Sequence, residues 1–270
     1  MIVLVYLAFN SLLLVALSAA HSGDLAKLAT DRIPPAALLA LLFGFGGLVL
    51  AVLVVVRYWH KRRGETLFGQ HCSSGFAAGV ITVLAIYGPL TALSLWVDGA
   101  QPALSPMIWL RVLPLVLAGL ALQTLAEELF FRGYLTQQLA ARFRSPLIWA
   151  LIPSLIFALS HFDPTTYGVP WPVQVGGAMV FALIATDLTY RTGSIGAAWG
   201  MHLANNLFAF AIVAADGPLA GLALFTVDFD PSNLSNSPWL VLQDLVPMIL
   251  TWLILRFWAV RLQFAATLRI

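Results

Sequence analysis

Residues 107–132 read MIWLRVLPLVLAGLALQTLAEELFFR, an apolar run that ends on two adjacent carboxylates, Glu127 and Glu128, with Arg132 four positions after the second. About 20 apolar residues cross the ~30 Å hydrocarbon core of a bilayer as a helix. Comparable runs recur through the whole 270-residue chain, which is 60% hydrophobic and only 10% charged. Gly, Pro and charged residues divide it into eight candidate spans at about 1–19, 35–56, 74–97, 107–131, 146–162, 173–190, 194–215 and 238–259. The expected fold is all-α, a polytopic transmembrane helical bundle of about eight helices. Connections between the runs are short, so residues 1–270 read as a single integral membrane domain.

The net charge is +2, and the basic residues cluster between apolar blocks instead of lining one face. That excludes a nucleic-acid partner and makes the bases topology signals. With a cytoplasmic N-terminus, eleven of the 14 Lys and Arg residues fall inside and only Lys27, Arg32 and Arg111 outside. The acidic 216–237 connection, with Asp216, Asp228 and Asp230, then lies outside. Both termini are expected in the cytoplasm, in a bacterial inner membrane. Residues 1–19 carry no preceding positive charge and are long enough to span, which favours a retained helix over a signal peptide. The single cysteine, Cys72, excludes an intramolecular disulfide and a Cys-based metal site.

Ionisable side chains inside apolar spans are costly and usually mark a functional path. Three groups qualify: Glu127, Glu128 and Arg132 on the fourth span; Phe157 and His161 on the fifth; His202 and Asn206 on the seventh. Each contains an i,i+4 pair, which shares one helix face. Glu128 precedes Arg132 in the favourable order, so Arg132 is expected to hold Glu128 while Glu127, turned about 100° away, is left for chemistry. The bland reading makes the acids a span boundary and ties His161 to a backbone carbonyl. Against it, Glu127 lies 17 residues before Arg144 and His161 17 after it. A hairpin turning near Arg144 and Ser145 would bring both to one depth, roughly 25 Å from the turn, if the fourth helix continues through TQQLAARF. His202 and Asn206 sit in GSIGAAWGMHLANN, whose small residues allow close helix approach. They serve either as helix cross-links or as hydrogen-bond donors.

A carboxylate and a neutral imidazole at one depth can activate a water, Glu127 as general base and His161 orienting it. His202 and Asn206 can stabilise the oxyanion that follows. The alternative is a zinc ion held by Glu127, His161 and His202 with one open water position; the favoured reading requires no cofactor. A proton- or ion-coupled transporter would also keep Glu and His in its spans, although no inverted repeat is visible. Asp187 and Arg191 form a further i,i+4 pair, read as a helix-end ion pair. Asp244 has no evident partner, and residues 163–172 (DPTTYGVPWP) suit an interfacial loop or lid.

ExxxR in its doubled-acid form (Glu127, Glu128, Arg132), FxxxH (Phe157, His161) and HxxxN (His202, Asn206), in this order on separate helices, resemble the CAAX protease and bacteriocin-processing (CPBP) family of intramembrane proteases. The resemblance covers about 107–215, the catalytic core. It implies that Glu127 and His161 activate water, that His202 and Asn206 form the oxyanion pocket, and that Glu128, Arg132 and Phe157 support them. Members have been described both as metal-dependent and as metal-free. The implied partners are the lipid bilayer and a peptide or prenylated protein terminus. A non-catalytic bacteriocin-immunity role stays open beside the protease and the transporter.

Overall fold

A computed structural model describes residues 2, 6, 32–97, 99–162, 171–228 and 238–267, the side chains of 97, 171–172, 238–244 and 260–267 excepted. The described chain is helical almost throughout, as its apolar runs require. The main elements are α1 (Pro35–Gly44), α2 (Gly46–Val54), α3 (Cys72–Val97), α4 (Pro106–Glu128), α5 (Gln137–Ala140), α6 (Ile152–Ser160), α7 (Trp171–Thr192), α8 (Gly196–Leu207) and α9 (Pro238–Thr267). Among the described residues, four continuous helical stretches are long and apolar enough to cross a membrane: Pro35–Trp59, Cys72–Trp96, Pro106–Ala140 and Val173–Thr192. Leu147–Ser160 and Leu245–Ala259 are shorter apolar helices, so eight spans is an approximate number. Proline sits inside α3, α4 and α9 (Pro89, Pro114, Pro247). Apolar surroundings tolerate such prolines because neighbouring groups satisfy the backbone they free.

The fourth span runs past Arg132 to Ala140, through a π-helical segment at Leu129–Thr136, and turns before Ser145, as expected. The seventh differs. It was expected to stay helical to 215, but helix ends at Ile212 and the backbone becomes extended at Val213 (φ −132°, ψ 112°). Strand β2 (Val213–Ala215) lies parallel to β3 (Phe225–Val227), which also pairs antiparallel with β1 (Gln101–Pro102). An apolar, β-branched helix end can be taken up by a strand when a partner edge is available, and the run of hydrophobicity does not announce the change. The first span and segment 163–170 lie outside the described residues, as does the side chain of Asp244.

Contacts divide the chain into two compact units, 1–64 with 89–127 and 203–229, and 65–88 with 128–202 and 230–270. The boundaries fall inside α3, α4 and α8. In the first unit, Leu38, Val116, Leu120, Ala211 and Leu222 form a buried core, and Trp109 Nε1 donates to Ala211 O at 2.7 Å. Arg32 ties the small sheet together by donating to Asp216 Oδ1 at 2.7 Å and to Thr226 Oγ1 at 3.4 Å.

In the second unit the backbones of α3 and α8 touch. A Cβ added to Gly79 would lie 2.6 Å from both Ala197 O and Met201 N, and one on Gly196 or Gly200 would collide with the carbonyl of Cys72 or Phe76. Gly75 and Gly79 thus face Gly196 and Gly200, the small-residue packing read from GSIGAAWG. This contact fixes α8 just before His202. Large apolar side chains such as Ile81, Leu93 and Phe257 remain exposed, as a lipid-facing surface demands.

Candidate active site

The doubled-acid motif straddles a change of helix type. Glu127 and Glu128 close α4, and Arg132 lies in the π segment that follows. Such wide turns concentrate at functional sites. Arg132 Nη1 donates to Glu128 Oε1 at 2.9 Å, and Nη2 donates to the Ala182 carbonyl of α7 at 3.1 Å. Both residues are fully enclosed, Arg132 at 1% and Glu128 at 0% exposure. The expected division therefore holds for Glu128: it is the acid that the arginine grips.

A second partner was not foreseen. His202 Nδ1 lies 2.9 Å from the same Glu128 Oε1, and His202 is 3% exposed. Carboxylate oxygens only accept, so Nδ1 carries the proton in this contact. Glu128 thereby sets the ring's tautomer and orientation, the role a buried carboxylate plays behind a catalytic imidazole. Its other oxygen, Oε2, is buried with no hydrogen-bond partner.

Phe157 is the ring against which the unit's polar groups are laid. The Arg132 guanidinium sits 4.7 Å from its centroid. His161 lies against it at 4.4 Å between centroids, and Phe131 and Phe181 pack at 5.1 and 5.8 Å. Phe181 in turn meets the His202 ring edge-on at 4.7 Å. A cation over aromatic faces is stabilised where water is excluded, which accounts for the phenylalanine of FxxxH.

His161 caps the C-terminus of α6. Its Nδ1 lies 2.8 Å from Phe157 O. This is the backbone bond of the bland reading, yet it has a chemical consequence. A carbonyl accepts only, so Nδ1 donates and the neutral ring presents a lone pair at Nε2. His161 is exposed.

In the first unit, Glu127 is buried at 8% exposure. Asn206 Nδ2 donates to Gln123 Oε1 at 3.0 Å, and Asn205 Nδ2 to Asn206 Oδ1 at 3.4 Å. Gln123 had escaped notice, although a polar side chain four residues before Glu127 in an apolar span was a readable signal. Phe181 and the Ala182 carbonyl offered none.

Residues 108–208 match the family model described as Type II CAAX prenyl endopeptidase Rce1-like. This segment is similar to the Rce1-like members of the CPBP family. All seven motif residues, from Glu127 to Asn206, fall within the matched Rce1-like segment. The chain is also 35% identical over 128 residues to the uncharacterized protein YyaK of Bacillus subtilis (strain 168), covering 46% of this chain and 41% of that relative. The match therefore spans less than half of the curated relative. No solved structure matches. The four long apolar helices among the described residues give the chain the character of an integral membrane protein, and the similarity to this family of membrane proteases agrees with it.

The zinc alternative needs three convergent ligands. Among the described residues, no three His, Cys, Asp or Glu side chains gather as a ligand set.

Asp187 and Arg191 do form an ion pair at 2.8 Å. It has further members: Trp252 Nε1 donates to Asp187 Oδ2 at 2.8 Å, and Arg256 Nε lies 3.9 Å from the same oxygen. Asp187 thus joins α7 to α9.

Proposed function

We propose that this chain is an intramembrane endopeptidase that hydrolyses a membrane-associated peptide or a prenylated protein terminus. The observation that carries the reading is the Rce1-like match, which encloses every residue of the three motifs. The support of His202 by Glu128, and of Glu128 by Arg132, agrees with it.

In this reading the Glu127 carboxylate takes a proton from a water oriented by the Nε2 lone pair of His161. The oxygen of that water adds to the scissile carbonyl carbon, and the carbonyl electron pair moves to oxygen. The oxyanion is received by His202 and by Asn206, one helical turn apart on α8. With Nδ1 committed to Glu128, His202 donates from Nε2 only as the protonated ring. Asn206 spends one amide proton on Gln123 and keeps a second. Collapse re-forms the carbonyl, breaks the C–N bond and returns the proton from Glu127 to the leaving amine. The products are a new carboxyl terminus and a released amino terminus. The active site opens to the cytoplasm and both chain termini lie there, as the distribution of Lys and Arg argues.

The test uses Glu127→Gln and His161→Ala in full-length protein reconstituted in vesicles. Both variants are expected to insert and melt like the parent and to lose peptide cleavage, with Glu127→Gln retaining substrate that co-purifies with it. Intact cleavage in both variants would overturn the catalytic assignment. Glu127-dependent solute uptake without cleavage would establish the transporter instead.

A further inference from the structure

A cavity of about 480 Å³ lies wholly within the second unit, between the end of the long fourth helix, the hairpin turn, and the C-terminal end of α7. Its lining includes Arg132, Thr136, Arg144, Trp149 and Tyr190, and no acidic side chain. It is separate from the hydrolytic residues: neither Glu127, His161, His202 nor Asn206 lines it.

Three features define what would fill it. Arg144 makes no hydrogen bond or ion pair with any described residue, so a full positive charge stands at the wall without a counter-ion. Thr136 Oγ1 is buried and has no hydrogen-bond partner, a cost of about 1–3 kcal/mol that a bound acceptor would remove. The remaining wall mixes polar side chains with an apolar and aromatic part, in which Trp149 and Tyr190 stack at 5.3 Å between centroids beside Phe143. Of the lining residues, Tyr190 is 69% and Phe143 43% exposed, aromatic side chains of the kind that sit at the lipid headgroup level. An anion with several acceptor oxygens, carried on an apolar body, satisfies all three.

We propose that this cavity binds the phosphate headgroup of an anionic phospholipid, with Arg144 supplying the charge and Thr136 a hydroxyl donor. Basic pockets between helices near a membrane surface recognise such headgroups. Arg132 lines the cavity and also holds Glu128, so a bound headgroup sits beside the residue on which the His202 support depends.

The test is native mass spectrometry of full-length protein released from micelles containing equal phosphatidylglycerol and phosphatidylcholine. The parent is expected to retain phosphatidylglycerol in preference. Arg144→Ala should cut that preference roughly fivefold, the scale of one basic residue near a membrane surface. Arg144→Lys should keep most of it, and the near-isosteric Thr136→Val should lower it without loss of melting temperature in phosphatidylcholine. Absence of a preference in the parent, or an unchanged preference in both Arg144→Ala and Thr136→Val, overturns the site. Displacement by equal glycerol 3-phosphate would identify a soluble phosphate as the ligand and overturn the lipid assignment, as displacement by a peptide carboxyl terminus would. None of these readouts depends on proteolysis, so the proposed peptidase activity can fail without affecting them.

Discussion

Two acid-and-arginine pairs in the second unit share one sequence pattern, an acid four residues ahead of its arginine, and serve different ends. Their distances hardly differ: 2.9 Å for Glu128 and Arg132, 2.8 Å for Asp187 and Arg191. Their surroundings do. The side chains of Glu128 and Arg132 are 0% and 2% exposed, those of Asp187 and Arg191 27% and 31%. Solvent access screens the second pair to a worth of about 0–1 kcal/mol. In the first, desolvation offsets much of the attraction, yet removal of either member strands a buried charge. The third partner separates them further. Glu128 turns to His202, a ring that can move a proton, whereas Asp187 accepts from the indole of Trp252, which cannot. The spacing of acid and base predicts a pair; burial and the next neighbour decide whether it supports chemistry.

The largest expected effect follows from breaking the buried pair. Arg132→Ala leaves Glu128 at zero exposure without its cation and removes a guanidinium lying on Phe157, and should cost about 3–5 kcal/mol of stability. Denaturant titration of the detergent-solubilised protein measures this. Arg132→Lys should recover only part, because an ammonium lacks the planar fork that reaches both Glu128 and the Ala182 carbonyl. A loss no larger than that from altering Arg191 would remove the distinction drawn between the two pairs.

That distinction was only half readable in the sequence. The Glu128–Arg132 contact follows from local helical spacing, and it survives the π segment. The glycines of α8 also announced their packing, because small residues at fourfold spacing have few other uses in a span. The Glu128–His202 bond joins positions 74 apart and the Asn206–Gln123 bond positions 83 apart. Each depends on how helices dock, which hydropathy does not encode. The two histidines divide along the same line. The backbone-carbonyl bond of His161, local to its own helix, was among the readings of the sequence and is present to Phe157 O at 2.8 Å, whereas the bond of His202 to Glu128 crosses between helices and was not. The end of the seventh helix at Ile212 was hidden because Val213, Ala214 and Ala215 continue the apolar pattern while pairing with Phe225–Val227.

Neutralising the shared acid sharpens the comparison with a smaller effect. Glu128→Gln keeps the size and an accepting oxygen but removes the charge facing Arg132 and His202. Loss of hydrogen bonds to a charged group costs about 1.5–3 kcal/mol. If Glu128 orients His202 for the transition state, kcat should fall at least about tenfold, equivalent to 1.4 kcal/mol, with KM nearly unchanged. A purely structural Glu128 would lower stability and leave the kcat of the folded fraction as it was. Peptide captured by the Glu127→Gln variant supplies the substrate for this measurement.

The smallest effect belongs to the exposed pair. Arg191→Ala should cost less than about 1 kcal/mol, diminish with added salt, and leave cleavage unaltered. Asp187 is then still held by the Trp252 indole at 2.8 Å and still within 3.9 Å of Arg256. Trp252→Phe should cost more than Arg191→Ala, because it removes a hydrogen bond to a partly buried carboxylate and alters the α7–α9 packing. Combining the two should exceed the sum of the single losses, since each change alone leaves Asp187 one of its near partners. Simple additivity would mean that Arg191 and Trp252 act independently and that α7 and α9 are joined by packing alone. Synergy in stability with unchanged turnover would fix this pair as a helix clamp.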